Sequence, residues 1–363
     1  MMIPVYIPSL GGNEAKYVAD AVQSGWISSL GTYVDRFEQA IKTVTGAKHA
    51  IAVCNGSVAL HLALHCLDVG PGDEVIVPTF TYIASINAIA LAGAKPVFVD
   101  VQPEDWLIDP VSAQRAITAK TKAIMPVDLY SAVSDPAIIS LARSHGLAVV
   151  QDCAEVFGTT VDGRHAGMEA DVATFSFFGN KTVTTGEGGA VISNDDALAA
   201  RMRKVKGQGQ SATRRYWHDE IGFNYRMTNI AAAIGVAQVE RLDEILTRKR
   251  EIARHYRGVL GNYGVSFQDI PDTVNSSEWL VSALVPQGVD RDAVMAHMAA
   301  SGVDTRPVFY CAHHMPMYAT EQSLPVAEDI SRRGISLPSY PGLTDEDVLK
   351  VAEALKTAIR ANA

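Results

Sequence analysis

Cysteine is scarce in this chain. Its 363 residues hold four, Cys54, Cys66, Cys153 and Cys311, widely scattered and with no Cys-x-x-Cys pair. Neither a disulfide framework nor a cysteine-built zinc site fits that spacing, and a reducing compartment, the cytoplasm, is the expected setting. An excess of basic charge is missing as well. Lys and Arg number 31 against 40 Asp and Glu, a formal net charge of −9, which speaks against general nucleic-acid binding. An anionic small ligand stays open, because a local site can be positive on an acidic protein. No apolar run approaches the roughly 18 residues that suggest a membrane span. The segment MMIPVYIPSLGG lacks a basic stretch followed by an apolar one, so no secretory signal is expected. Internal repeats and low-complexity tracts are absent. No G-x-G-x-x-G follows a strand, and GEGGAV has the wrong spacing, which removes the dinucleotide-binding class.

What remains is an ordinary globular composition, 48% hydrophobic and 20% charged, in a chain long enough for a large core. At about 150 residues per domain the length suggests two units. The change of character along the chain divides it into 1–250 and 251–363. From residue 49 short apolar runs alternate with helical patterns. Strands are expected at His49–Cys54, Glu74–Val77, Pro96–Asp100, Ala123–Pro126, Ala148–Gln151, Val172–Ser176 and Ala190–Ser193, with helices at Val58–Leu67, Tyr82–Leu91 and Ala137–Ser144. Such βαβ alternation implies an α/β fold with a mostly parallel sheet, whose ligands gather at the carboxyl ends of the strands. Thr228 is placed to cap one long helix running on through TRKREIARHY. The second unit carries a strand pattern at Trp279–Val285, a helix near Arg291–Ala300 and a last helix from Thr344.

Chemistry-bearing residues fall just after strands. Lys181 lies in SFFGNKTVTTGEGGAV between two strands, among small residues. A lone loop lysine is most often a solvated one, but a lysine amine can also form a Schiff base with a carbonyl compound or with pyridoxal phosphate. That use requires three further parts. An acid must sit on the pyridine nitrogen, and Asp152 in VVQDCAEVFG follows a strand, where it can equally cap a helix. A phosphate needs a cradle. Asn55-Gly56-Ser57 joins a strand to a helix N-terminus, where free N–H groups favour an anion, and Ser57 and Ser176 add hydroxyls. An aromatic ring should cover the cofactor, and Tyr82 heads the next helix. Each part alone has a bland structural explanation; their order, each at the carboxyl end of a strand, points to pyridoxal phosphate.

The stretches WISSLGTYVDRFE, NGSVALHLAL, GDEVIVPTFTYIASINAI, DCAEVFG, TFSFFGNKTVTTGEGG, KGQGQ, RRYWHDEIGFNYRMTNIAAAIGVAQ and RPVFY resemble, nearly end to end, the DegT/DnrJ/EryC1/StrS family of sugar aminotransferases. The resemblance implies the aspartate-aminotransferase-like fold (fold type I), a large domain with a mostly parallel sheet plus a smaller C-terminal α+β domain. It also implies pyridoxal 5′-phosphate as cofactor, with the pyridoxamine form as intermediate. Lys181 would be the Schiff-base lysine and proton carrier. Asp152 would pair with the ring nitrogen, Gly56, Ser57 and Ser176 would hold the phosphate, Tyr82 would lie on the ring face, and Glu155 would reach the cofactor edge. Asn224 would reach the phosphate in the neighbouring subunit, making a homodimer with shared active sites. The implied substrates are L-glutamate and a nucleotide-linked 4-keto-6-deoxy sugar, GDP-linked in the subgroup most resembled, with UDP- or dTDP-linked sugars as the alternative. Arg215, Arg306 and His218 are candidates for the nucleotide, Trp26, Ser28 and Ser29 for the sugar, and His313 for the substrate pocket or the surface. A dehydratase variant of the chemistry, which carries His in place of the lysine, is disfavoured by Lys181. A non-catalytic regulator would need a DNA-binding module, and none is visible. His313-His314 lack supporting ligands in the sequence, so no metal is expected. One departure stands out: Asp128 and Ser131, in VDLYS, occupy positions where close members of the family carry His and Gly.

Overall fold

The computed structural model describes residues 2–362. Helices α1 (Glu14–Gln23) and α2 (Thr32–Thr45) precede β1 (His49–Val53). Then come α3 (Gly56–Cys66), β2 (Glu74–Pro78), α4 (Ile83–Leu91), β3 (Lys95–Val99), α5 (Pro110–Arg115), β4 (Thr121–Ile124), α6 (Pro136–Ser144) and β5 (Ala148–Asp152). A small hairpin, β6 (Thr160–Val161) and β7 (Arg164–His165), leads to β8 (Val172–Ser176), β9 (Gly189–Ser193) and α7 (Asp196–Lys206). After an extended arm, α8 (Asn229–Val239) and α9 (Leu242–Leu260) lead into the C-terminal unit. There β10 (Ser266–Phe267) is followed by β11 (Val274–Asn275), which returns to pair with β6, and then by β12 (Ser282–Leu284), α10 (Arg291–Ala300), β13 (Arg306–Pro307), α11 (Pro325–Arg333), β14 (Gly334–Ser336) and α12 (Asp345–Ala361).

The main sheet has seven strands in the order β1-β9-β8-β5-β4-β2-β3. β9 runs antiparallel to both its neighbours, and the remaining pairings are parallel. The expected mostly parallel α/β sheet is therefore present. Strand alternation sorts its two faces. Ile51 and Val53 of β1 join the core with Leu60 and Leu64 of α3, while Ala50 and Ala52 face Phe37 and Ile41 of α2 and Ala232 and Ala233 of α8. Helix starts follow local chemistry: Asn55, Asp109, Asp135, Asp195, Thr228, Asp290 and Thr344 each accept a first-turn N–H at a helix N-cap. The C-terminal unit builds a separate core from Ile252 and Tyr256 of α9, Val294 of α10, Ile335 of β14 and Val351 and Leu355 of α12. Residues near the N-terminus lie against this unit, with Ile3 bridging Val303 and Val5 accepting from the Ser339 N–H.

Two expectations need correction. The long helix from Thr228 is two helices, broken at residues 240–241. Glu240 there accepts from Asn13 and Tyr17, and Arg241 reaches back to Ser9, so the N-terminal segment holds the turn. The two pieces also serve different cores, α8 the sheet and the later part of α9 the C-terminal unit. The strand foreseen over Trp279–Val285 contracts to Ser282–Leu284, because Trp279 and Leu280 turn toward the large sheet's core instead.

Phe37 is fully buried and meets the ring of Phe177 edge-on, centroids 5.1 Å apart at 68°. Phe177 stands four residues before Lys181, so this contact braces the loop that carries it. Phe37→Ala is expected to destabilise the fold by about 3–5 kcal/mol in urea denaturation, the range for an emptied aromatic site.

Candidate active site

Because β1, β2, β5 and β8 are parallel, the loops after them open on the same edge of the sheet. After β1, Asn55 caps α3 by accepting the Val58 N–H at 3.0 Å. The N–H groups of Gly56 and Ser57 in the first turn have no partner within the helix. Gly56 lies against Ser176 at the end of β8, where a Cβ on residue 56 would stand 2.8 Å from Ser176 Cβ. Gly189 of β9 approaches equally closely, since a Cβ there would meet the Asn55 carbonyl at 2.5 Å. Small residues thus bring a helix N-terminus and the Ser176 hydroxyl together.

Asp152 ends β5 and is buried. It caps no helix. Ser85 Oγ donates to its Oδ2 at 2.8 Å and the Ala154 N–H to its Oδ1 at 3.1 Å. Burial pushes its carboxyl up, opposed by those two hydrogen bonds and by the charge of Lys181. Lys181, in the loop between β8 and β9, puts Nζ 3.3 Å from Glu155 Oε1, with both side chains largely hidden from solvent. Glu155 Oε2 accepts the Tyr130 N–H at 2.8 Å. Desolvation pushes the Glu155 carboxyl up to about 7, against the pull of Lys181. Tyr82 is the N-cap residue of α4 and 58% exposed, beside Phe309 with centroids 5.6 Å apart. It is therefore not a core aromatic, and its ring is available to a ligand.

Several residues here escaped sequence reasoning. Ser85, the partner of Asp152, lies three residues after Tyr82, a helical spacing that carried a usable signal. Trp279 carried none. It comes from the far end of the chain to lie under Lys181 Nζ, 3.9 Å from the ring centroid. Trp279 stacks on Tyr130 (5.9 Å, 16°) and Tyr130 on Phe309 (5.3 Å, 23°), so an aromatic wall runs from Lys181 toward Tyr82.

The donor set fits pyridoxal phosphate. An amine for its carbonyl, a buried carboxylate for its ring nitrogen and a helix N-terminus with a serine for its phosphate lie along one sheet edge. Thr182, next to Lys181, adds a buried hydroxyl with no hydrogen-bond partner among the described residues.

The candidates for the substrate are spread more widely. Trp26, Ser28 and Ser29 form an exposed to half-buried turn held by Asn229, whose Nδ2 donates to the Trp26 carbonyl at 2.6 Å and whose N–H donates to that of Ser28 at 2.5 Å. Arg215 and His218 lie on the exposed arm over 207–226, where His218 Nδ1 pairs with the Gln208 carbonyl at 2.8 Å. Asn224, at the base of this arm, accepts from Arg226 Nε at 3.0 Å and makes no hydrogen bond to Lys181, Asp152 or Ser176 among the described residues. Arg306 is exposed on β13.

His313 is not at this surface. It is fully buried, and its Nδ1 pairs with Thr79 Oγ1 at 2.7 Å, a bond that ties the loop after β2 to the C-terminal unit. The expected substrate contact gives way to a structural one. The histidine pair also has a supporting ligand, contrary to expectation from the sequence: ligand atoms of His313, His314 and Glu328 fall within 4.8 Å of one another. Glu328 comes from α11 and also accepts the Leu324 N–H at 2.8 Å.

Asp128 and Ser131 point into the protein. Asp128 is fully buried, accepting from the Ser134 N–H (2.9 Å), Ser134 Oγ (2.8 Å) and Gln151 Nε2 (2.8 Å). Ser131 Oγ donates to Glu278 at 2.6 Å. Cys153 is buried against Asp128, a packing residue.

With this geometry in place, the comparisons assign the class. The model of the DegT/DnrJ/EryC1/StrS aminotransferase family matches residues 8–356, and the chain belongs to that family. Among its relatives, GDP-perosamine synthase of Vibrio cholerae is 46% identical over 361 residues, 98% of each chain. GDP-perosamine synthase of Escherichia coli O157:H7 is 48% identical over 355 residues, 97% of each. The aminotransferase TlmJ from Streptoalloteichus hindustanus superposes with a TM-score of 0.94 at 31% identity, covering 100% of both chains.

Burial pushes the Asp128 carboxyl up to about 6 from its ordinary 3.8. The protonated form's contribution to stability is full below the ordinary value and is lost as the pH rises through about 6. Asp128→Asn escapes this titration, with the Gln151 amide turned over to present its oxygen. Its Tm relative to wild type is expected to climb by about 2 °C between about pH 5 and about pH 8 in thermal melts. A pH-independent difference would mean that Asp128 does not titrate in this range.

Proposed function

We propose that this aminotransferase uses pyridoxal phosphate to convert GDP-4-keto-6-deoxymannose to GDP-perosamine, with L-glutamate as amino donor, for O-antigen or related polysaccharide assembly. The observation that carries the reading is the near full-length identity of 46% and 48% to two GDP-perosamine synthases, in a chain that keeps Lys181 beside Glu155 with Asp152 buried nearby. The cofactor, when bound, supplies an electron sink for the carbanion at the carbon bearing nitrogen. The protein's own residues do the rest. Lys181 Nζ carries the proton between donor or acceptor carbon and cofactor. Asp152, held by Ser85, keeps the ring nitrogen protonated. Ser176, Ser57 and the Gly56 N–H hold the phosphate, and Tyr82 covers the ring. Trp26, Ser28, Ser29, Arg215, His218 and Arg306 bind the nucleotide sugar.

The active unit in this reading is a homodimer with shared sites. Its support is the exposed apolar surface of a single chain: Trp26, Ile27 and Leu30 on one segment, and Tyr216, Trp217 and Ile221 on the arm that carries Asn224. Surface of that kind marks an interaction site. The setting is the cytoplasm, consistent with four free cysteines. No described helix is long and apolar enough to cross a membrane.

Lys181→Ala is expected to fold, to lose the visible absorption of bound pyridoxal phosphate and to lose at least about 10³-fold in turnover, as for loss of a proton-transferring side chain. Full activity in this variant overturns the assignment. Assay with GDP-, UDP- and dTDP-linked 4-keto sugars should show turnover with the GDP sugar, and turnover only with another nucleotide would move the protein to a different substrate. Co-expressing Lys181→Ala with Asn224→Ala is expected to restore activity in mixed dimers, because one site then pairs an intact Lys181 with the partner's intact arm. Mixed dimers no more active than the parents would rule out sharing.

A further inference from the structure

Two residues that no sequence motif singles out hold the Lys181 loop, and a third holds one of them. Tyr6 Oη donates to the Lys181 carbonyl at 2.6 Å. Trp279 Nε1 donates to the Asn180 carbonyl at 2.7 Å. Lys249, fully buried on α9, donates to the carbonyls of Trp279 (2.8 Å) and Ser339 (3.0 Å), and its Nζ stands 5.7 Å from the centroid of the Tyr6 ring. Two aromatic residues thus fix the backbone on which Lys181 sits, and a buried lysine fixes one of them. Inside this frame Lys181 Nζ meets the Trp279 ring at 3.9 Å and Glu155 Oε1 at 3.3 Å. The stack on Tyr130 hinders the indole from swinging away.

A cation over an indole face is attracted by the ring's negative quadrupole, more strongly where water is excluded. An unattached lysine amine otherwise explores many rotamers on its four-carbon stem. We infer that Trp279 is a positioning residue for Lys181: its indole face, together with the Glu155 carboxylate, is the resting place of the Lys181 ammonium whenever that amine is not joined to a carbonyl, and Lys249 keeps Trp279 there. This rests on the reading of Lys181 as the cofactor-bearing lysine. It accounts for the burial of Lys249, whose amine desolvation pushes down to about 7 and whose hydrogen bonds go to two backbone carbonyls.

The test uses the full chain without cofactor. Trace acetic anhydride labels free amines, and mass spectrometry of the Lys181 peptide reads its labelling across pH. In Trp279→Leu, Lys181 should label about tenfold more at neutral pH, the scale of a desolvated ammonium–indole contact. That excess should vanish at strongly alkaline pH, where both proteins carry the free amine. Trp279→Phe keeps a ring face and should return labelling to within about threefold of wild type. Simple widening of access would raise labelling at every pH. Because Trp279→Leu also removes a buried ring, the same measurement is made on wild-type sequence grown with trifluorinated tryptophan, which keeps the shape and weakens the negative face; its neutral-pH labelling should rise too. Unchanged neutral-pH labelling in the fluorinated protein, or an excess that persists at alkaline pH, overturns the inference. Binding of pyridoxal phosphate is read separately by visible absorption of wild type, so failure of the functional reading is distinguished from failure of this one.

Discussion

A lysine ammonium and a glutamate carboxylate, 3.3 Å apart and almost cut off from water, set the terms for everything near the carboxyl edge of the sheet. Neither group tolerates burial alone, and the attraction between them offsets part of the desolvation each suffers. Glu155 spends its second oxygen on the Tyr130 N–H, and Tyr130 adopts a left-handed backbone, φ +58°. For a bulky buried residue that conformation costs about 1–3 kcal/mol and persists only where its surroundings over-determine it. They do so here. The Tyr130 ring lies between Trp279 and Phe309, and its hydroxyl accepts the Phe309 N–H at 3.0 Å. One carboxylate thereby links Lys181, a strained turn and the aromatic wall beside it.

The same turn joins the large sheet to the C-terminal unit. Ser131 donates to Glu278, which also receives the Arg257 guanidinium at 2.7 and 3.1 Å, and Ser276 Oγ donates back to the Ser131 carbonyl at 2.7 Å. Glu278 directly precedes Trp279. Ser131 therefore ties this turn to the segment that carries Trp279, while Asp128 ties it to Ser134 and to Gln151 of β5. Buried hydrogen bonds engage both side chains: Asp128 accepts from the Ser134 N–H and hydroxyl, from Gln151 and from the Cys153 thiol at 3.5 Å, and Ser131 donates to Glu278.

Much of the cofactor end was legible in the chain because its parts are local. A strand, a small residue and a cap at Asn55, Gly56 and Ser57 announce a helix N-terminus whatever the rest of the fold does. Asp152 and Lys181 each follow an apolar run that could only be a strand, and adjacent parallel strands then bring their ends together. Reading failed where a contact spans the chain or where helix periodicity continues through a break. The pattern from Thr228 through His255 looks like one helix, and only the approach of Asn13, Tyr17 and Ser9 to residues 240–241 reveals two. His313 reads like a ligand because histidine is versatile, yet Thr79, more than two hundred residues earlier, claims its Nδ1 in the interior.

The sequence by itself determined the class of fold and the order of the candidate site's parts along the chain, Lys181 included, since these rest on short-range periodicity, caps and spacing. Tertiary structure alone decided what surrounds that lysine. Trp279 and Tyr6 reach it from separate segments, with Lys249 behind Trp279, and no local rule links an indole at residue 279 to an amine at 181. Burial is likewise a property of the assembled fold. It leaves Tyr82 open to a ligand, hides His313 and raises Glu155 toward neutrality, because desolvation depends on every element packed around a group and not on its neighbours in the chain.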